Sequence, residues 1–165
     1  MREYYQILQD TLIGSFLPAW RKTTKRKPTS TAKFYFFDIG VKHQLAGIKT
    51  LNQHSDLYGQ AFEHFIAMEL KAYLSYTRKH LPLSYWRTQS GTEVDFIIGD
   101  DIAIEVKTTK KVSNKHLKGL KLLQEENICS RYFLISFAKI HKIDNGIEII
   151  YWHDFLSNLW QGEYF

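Results

Sequence analysis

Apolar residues recur along this chain at two spacings, and the change from one spacing to the other divides it into elements. In residues 3–19, Tyr4, Tyr5, Leu8, Leu12, Ile13 and Phe16 form a single stripe at helical spacing, which predicts an N-terminal helix running to Leu17 and Pro18. Residues 21–32 carry no apolar period and include Pro28, so they read as an exposed basic loop or a turn between strands. The aromatic run at 33–38 is a short strand. Between 57 and 80, Phe62, Phe65, Ile66, Leu70, Tyr73 and Leu74 return every three or four residues, the mark of a long amphipathic helix that ends before Pro82. Gly59, near its start, is read as a point of close entry.

Strand-like runs follow at 83–88, 92–98 and 102–107, separated first by Gln89, Ser90 and Gly91 and then by Gly99, Asp100 and Asp101, which predicts a meander. Ser113 is a good N-cap for a helix reaching Glu126, with Leu117, Leu120 and Leu123 on one stripe. Residues 131–137 and 147–152 read as further strands and 153–160 as a closing helix. This order predicts a single α/β domain over 1–165, in which a central mixed sheet is flanked by helices. Residues 1–32 form its N-terminal helical segment and basic loop, and 33–165 its core.

Composition adds constraints. A chain of 165 residues with 44% hydrophobic and 15% aromatic residues has material for one core. No apolar run is long enough to span a bilayer and no signal peptide is visible at the N-terminus, which leads to the expectation of a cytoplasmic protein without membrane contact. The lone Cys129 lies in an apolar run and reads as a small buried thiol. No two of the 7 histidines are three or four residues apart, so the paired spacing of a zinc helix is missing. The net charge of +5 is concentrated before residue 51. Two acid-free stretches carry much of it, Arg21 to Lys27 and Lys107 to Lys121, and both suit a polyanion such as nucleic acid or a plain solvated surface.

The chemistry is in the meander. A period of two places Glu93, Asp95 and Ile97 on one face of their strand and Ala103, Glu105 and Lys107 on one face of the next, each opposite a fully apolar face. A three-residue turn at 99–101 makes paired positions sum to 200, so that Asp95 faces Glu105 and Glu93 faces Lys107; a two-residue turn would set charged against apolar faces. Two facing carboxylates repel unless neutralised, and Mg²⁺ or Mn²⁺ suits a pair of this kind, which places the metal on Asp95 and Glu105. Lys107 then stabilises charge on a phosphate or orients a water. Glu63 on the long helix is the favoured third acid and Glu69 its competitor. Without a metal, the same residues are a solvated face with a cross-strand salt bridge.

This distribution of Glu63, Asp95 and Glu105-Val106-Lys107 over helix, strand and strand resembles the PD-(D/E)xK nuclease superfamily, with Val94-Asp95 in place of its Pro-Asp. Nearly the whole chain is similar to the domain of unknown function that follows the ATPase module in a large prokaryotic family of AAA-type ATPases. The resemblance is carried by Leu8 to Gly14, Lys33 to Gly40, Gly59 with Glu63, Tyr85-Trp86-Arg87, Glu93 to Ile97 and Ile104 to Lys107. It implies a restriction-endonuclease-like core and a Mg²⁺- or Mn²⁺-dependent nuclease acting on nucleic acid, DNA first, with Glu63, Asp95, Glu105 and Lys107 as catalytic residues. Arg87, Lys110, Lys111, Lys115 and Lys118 would meet the nucleic acid. An ATPase is the implied partner or parent module, since the chain has no Gly-x4-Gly-Lys-Ser/Thr loop of its own. The alternative function is a non-catalytic module that keeps the fold and binds nucleic acid or protein. An aromatic contact surface at Trp86, Trp152 and Trp160 is a third reading.

Overall fold

The computed structural model describes residues 2–22 and 25–165. Thr23 and Thr24, in the middle of the first basic stretch, lie outside the described residues. The elements are α1 (Arg2–Asp10), β1 (Gly14–Leu17), β2 (Lys33–Phe36), α2 (Ile39–Leu45), α3 (Asp56–Tyr76), β3 (Leu83–Arg87), β4 (Glu93–Ile98), β5 (Ile102–Lys107), α4 (Lys118–Gln124), β6 (Arg131–Ser136), β7 (His141–Asp144), β8 (Ile147–Tyr151) and α5 (Trp152–Gln161). A turn of 3-10 helix, Asn114–Leu117, leads into α4.

Six strands form a mixed sheet in the order β3-β4-β5-β6-β8-β7, and β1 with β2 forms a separate antiparallel pair. The meander β3-β4-β5 is antiparallel, β5, β6 and β8 run parallel, and β7 returns antiparallel to β8. Helices cover both faces. On one, Ile66 and Leu70 of α3 and Phe155 and Leu159 of α5 pack on Phe96, Ile104, Phe133 and Ile150. On the other, Leu117, Leu120 and Leu123 pack on Ile97, Ala103, Leu134 and Ile149. Interior strands buried on both sides need apolar residues at most positions, which is why β6 reads Tyr132, Phe133, Leu134, Ile135.

The three-residue turn and its register are as expected, with Phe96 opposite Ile104 and Ile98 opposite Ile102. Gly99 supplies the left-handed turn residue at φ 61°. The long helix begins one residue before its expected start, where the Ser55 side chain accepts from the Tyr58 N–H, and stops at Tyr76.

Several expectations are corrected. The N-terminal helix ends at Asp10, not near residue 19, and the chain turns at Leu12, whose φ is 60°, into β1. Phe16, read as part of a helical stripe, faces Phe34 across the β1–β2 pair with ring centroids 5.2 Å apart. Gly14 permits this approach, since a Cβ there would lie 2.5 Å from the Phe34 ring and 2.7 Å from the Tyr35 carbonyl oxygen. The strand expected at 33–38 stops at Phe36 because Asp38 caps an unforeseen helix, α2, accepting from the Val41 N–H. The basic stretch joins β1 to β2, as its reading as a turn between strands has it, and its flanks are tied down: Trp20 N–H donates to the Tyr85 carbonyl and Thr29 N–H to the Arg87 carbonyl, at the outer edge of β3. β7 was not foreseen and pairs with β8 across an Asn145-Gly146 turn with both residues at positive φ. Trp86 is fully buried whereas Trp160 is 44% exposed, which divides the tryptophans proposed as one surface. Cys129 is buried, and burial pushes its thiol up to about 12. Among the described residues no helix is long and apolar enough to cross a membrane.

Candidate functional site

The site grows from a fault in the pairing of β3 with β4. Ser84 pairs with Ile97 and Trp86 with Val94, so the single residue Tyr85 stands opposite two residues, Asp95 and Phe96. This is a bulge on β4, and a bulge re-aims side chains. It breaks the simple alternation expected for the strand: Val94 packs with Ile97 in the α4-side core, while Phe96 and Ile98 belong to the α3 side. Asp95 is left with no ladder partner across β5. Its Oδ2 instead accepts from the Val106 backbone N–H at 2.8 Å, and the carboxylate is held in place.

Around Asp95 stand Glu63 of α3 and Glu93 of β4, and one carboxylate oxygen from each of the three lies within 4.8 Å of the others. Glu63 Oε1 accepts from Lys33 Nζ at 2.9 Å and from the Tyr35 hydroxyl at 2.5 Å. Lys33 Nζ also pairs with Glu93 Oε1, and Arg87 Nε lies 3.6 Å from Glu93 Oε2. Lys107 Nζ lies 2.5 Å from Glu105 Oε1 and 4.0 Å from Asp95 Oδ2. Glu105 Oε2 is buried and has no hydrogen-bond partner among the described residues.

Burial pushes the Asp95 carboxyl up to about 6, with the Glu63 charge adding to it and Lys107, Lys33 and the Val106 N–H opposing it. Burial also raises Glu105 well above the usual carboxylate range, reinforced by Asp95 and opposed by Lys107. For Lys107, burial acts downward, but Asp95 and Glu105 outweigh it and hold the ammonium charged. Lys33 behaves in the same way through Glu63, Asp95 and Glu93. The Tyr35 phenol is raised by burial and by the Glu63 charge, and stays a donor. The site therefore holds groups that resist ionising beside ammonium groups that keep their protons.

An open cleft of about 440 Å³ lies against these residues, lined by Gln60, Glu63, Asp95, Lys107 and Thr108 and by the approach to α3 at Gln53 and His54. A Cβ at Gly59 would come no nearer than 4.0 Å, to Thr108 Oγ1, so the close entry expected of this glycine is not needed.

Residues 58–155 match the family described as Domain of unknown function (DUF4143). The chain belongs to this family. The DUF4143 region supplies Glu63, Glu93, Asp95, Glu105 and Lys107. Residues 1–52 match a second family, described as Domain of unknown function (DUF8612), and supply Lys33 and Tyr35. The chain is 30% identical over 117 residues to the Uncharacterized protein Mb2031c of Mycobacterium bovis and, to the same degree, to the Uncharacterized protein Rv2008c of Mycobacterium tuberculosis. The aligned part covers 68% of this chain and 26% of each relative, so the chain spans about a quarter of the length of the curated relatives it matches. No solved structure matches the chain with significance.

Of the residues chosen from sequence, Glu63 and Asp95 are brought together, and Glu105 with Lys107 lies beside them. Glu69 is elsewhere, accepting from the Trp160 indole N–H at 2.9 Å. Glu93 does not meet Lys107; its partners are Lys33 and Arg87. Sequence reasoning missed Glu93 as a cluster member, although it shares a face with Asp95, and it missed Lys33 and Tyr35, which no local pattern connects to the acids. Arg87 is at the cluster's edge. Lys110 lines a second cavity that shares Gln53, His54, Thr108 and Thr109 with the cleft. Lys110, Lys111, Lys115 and Lys118 are exposed and form no ion pair among the described residues. The first basic stretch differs, since Lys22 pairs with Asp100 and Arg26 with Glu125 and Glu126.

Proposed function

We propose that this domain is a divalent-metal-dependent nuclease of the PD-(D/E)xK kind, with a restriction-endonuclease-like core, that hydrolyses phosphodiester bonds of nucleic acid in concert with an ATPase module. The observation that carries the reading is the β4 bulge, which brings Asp95 to Glu63 and Glu93, while the next strand sets Lys107 on the same cleft with buried Glu105 paired to it.

The donor set fits a hard cation. All donors are carboxylate oxygens, Asp95 and Glu105 are buried, and one Glu105 oxygen has no partner. The four acids outnumber the cationic groups around them, half-buried Lys33 and Lys107 and, at the edge, Arg87. Glu63, Glu93 and Asp95 would hold Mg²⁺ or Mn²⁺, with Glu105 next to them. When bound, such a cation supplies Lewis-acid polarisation and neutralises charge on a phosphate. Asp95 and Glu105 favour the charged form of Lys107, which suits a donor that orients water or stabilises the phosphoryl oxygens. Arg87, Lys110, Lys111, Lys115 and Lys118 would take the nucleic-acid backbone.

A second reading, a non-catalytic module that binds nucleic acid or protein through the same fold, is favoured by one observation: Lys33 already pairs with two of the three clustered acids. Cleavage assays with single- and double-stranded DNA and RNA in Mg²⁺ and in Mn²⁺ separate the two. The wild type is expected to cut, and Lys107→Ala to lose about a hundredfold in rate while retaining its fold and Mn²⁺ binding. A wild type that binds no Mn²⁺ at millimolar concentration and cuts none of these substrates overturns the nuclease reading in favour of the second.

A further inference from the structure

Lys33 is the first residue of β2, which lies outside the six-stranded sheet, yet its ammonium group reaches into the acid cluster. It bonds to Glu63 Oε1 at 2.9 Å, pairs with Glu93 Oε1 and stands 4.9 Å above the Tyr85 ring. Tyr35, two residues on and so on the same strand face, donates to the same Glu63 oxygen. β2 therefore presents two donors to one carboxylate and ties that carboxylate to a second.

Two of the three acids that would surround a metal, Glu63 and Glu93, each give one oxygen to this ammonium. A hard divalent cation binds its oxygens at roughly 2.0 to 2.6 Å. An ammonium hydrogen-bonded to the same carboxylates would then stand a few ångströms from it, and like charges at that range in a partly buried site repel. Lys33 and a divalent cation therefore compete for Glu63 and Glu93. Room to leave exists, since a cavity of about 340 Å³ bounded by Lys33, Tyr35, Lys42, Gln60 and Glu63 opens beside the cluster. The unpartnered, buried Glu105 Oε2 is a second sign that the cluster is not fully served by the ammonium groups it contains.

We propose that Lys33 is the resident cation of the acid cluster, and that a divalent cation loads by displacing it. The proposal rests on the metal-site reading above and adds its control: loading depends on a segment outside the DUF4143 region, since Lys33 and Tyr35 fall within residues 1–52. Whatever draws β2 away from the cluster raises metal affinity, and whatever seats it lowers that affinity.

Two measurements on the full chain test this. Calorimetric titration with Mn²⁺ is expected to give an affinity about tenfold or more higher in Lys33→Met than in wild type, because the competitor is gone. Acetylation of Lys33 in the wild type, followed by mass spectrometry, is expected to quicken severalfold when saturating Mn²⁺ replaces EDTA, while the exposed Lys142 keeps its rate. Equal or weaker Mn²⁺ binding by Lys33→Met overturns the displacement and leaves the metal site standing. Absence of Mn²⁺ binding from both proteins removes the metal site and this proposal with it. If Lys33→Met does not fold, wild-type labelling decides alone: an unchanged rate for Lys33 in metal-bound protein overturns the proposal.

Discussion

Two charge clusters fasten the first fifty residues to the sheet domain, and their balance differs. Near the end of α4, Arg26 pairs with Glu125 and Glu126, while the Lys25 backbone N–H donates to Glu126 Oε2 at 2.9 Å and Lys25 Nζ to the Glu125 carbonyl. Cationic groups and carboxylates match there, and the Glu126 side chain is fully enclosed. Around Asp95, by contrast, Glu63, Glu93, Asp95 and Glu105 stand against half-buried Lys33 and Lys107 and the exposed Arg87, and a carboxylate oxygen remains unserved. A matched cluster has spent its charge on holding the fold together. A cluster with surplus buried acid is strained without a further cation, and such surplus marks places arranged for binding.

The comparison breaks most directly by deleting one charge from each cluster. Asp95→Asn keeps an oxygen for the Val106 N–H while removing the charge. It is expected to weaken Mn²⁺ binding about a hundredfold and to raise the melting temperature in EDTA, since like-charge repulsion is relieved. Arg26→Ala is expected to do the reverse, lowering the melting temperature because enclosed Glu126 loses a charge partner and leaving Mn²⁺ affinity unchanged. Calorimetry and thermal unfolding read both, and a fall in the melting temperature of Asp95→Asn in EDTA would remove the contrast.

The next effect is on pH. Asp95 and Glu105 hold their protons more tightly when folded than when unfolded, so unfolding releases protons as pH passes upward from the unfolded carboxylate range through about 6. In EDTA, the folded state should accordingly lose about 2 kcal/mol between pH 4 and 7 from Asp95, with Glu105 acting in the same direction. Saturating Mn²⁺ should cancel or invert that slope, because the ligands bind metal only when deprotonated. Urea titrations across this range in EDTA and in Mn²⁺ provide the check, and a metal-free stability that rises through the window contradicts it.

The smallest effect concerns the exposed lysines, which unlike Arg26 pair with no acid among the described residues. Lys110→Ala with Lys111→Ala should reduce the salt dependence of DNA binding by a slope of about 1 to 2 and leave the melting temperature unchanged. An unaltered slope would make these lysines solvated surface only.

Much of this was legible from local pattern. The span of α3 follows from apolar residues every three or four positions between Ser55 and Pro82, and the β4–β5 register follows from a three-residue turn with Gly99 and the need to keep apolar faces together. β1 was not legible, because Leu12, Ile13 and Phe16 suit a helix as well as a strand, and the residue that settles the matter, Phe34, lies far along the chain. β7 had a signal in Asn145-Gly146, but the strand beside it is exposed and charged and lacks an apolar period.

By itself the sequence determined that the strand of Asp95 neighbours the strand of Glu105 and Lys107 through a three-residue turn, with Glu63 on the preceding helix, because side-chain period and turn length are local properties. Only the tertiary structure decided which acids share a site. The bulge at Asp95 and Phe96 lies opposite Tyr85, on a different strand, whose backbone also pairs with Pro18 and Trp20. Lys33 enters the cluster because β2 is carried there by that same edge. Both depend on contacts between segments far apart in the chain, which the order of residues within any one segment does not encode.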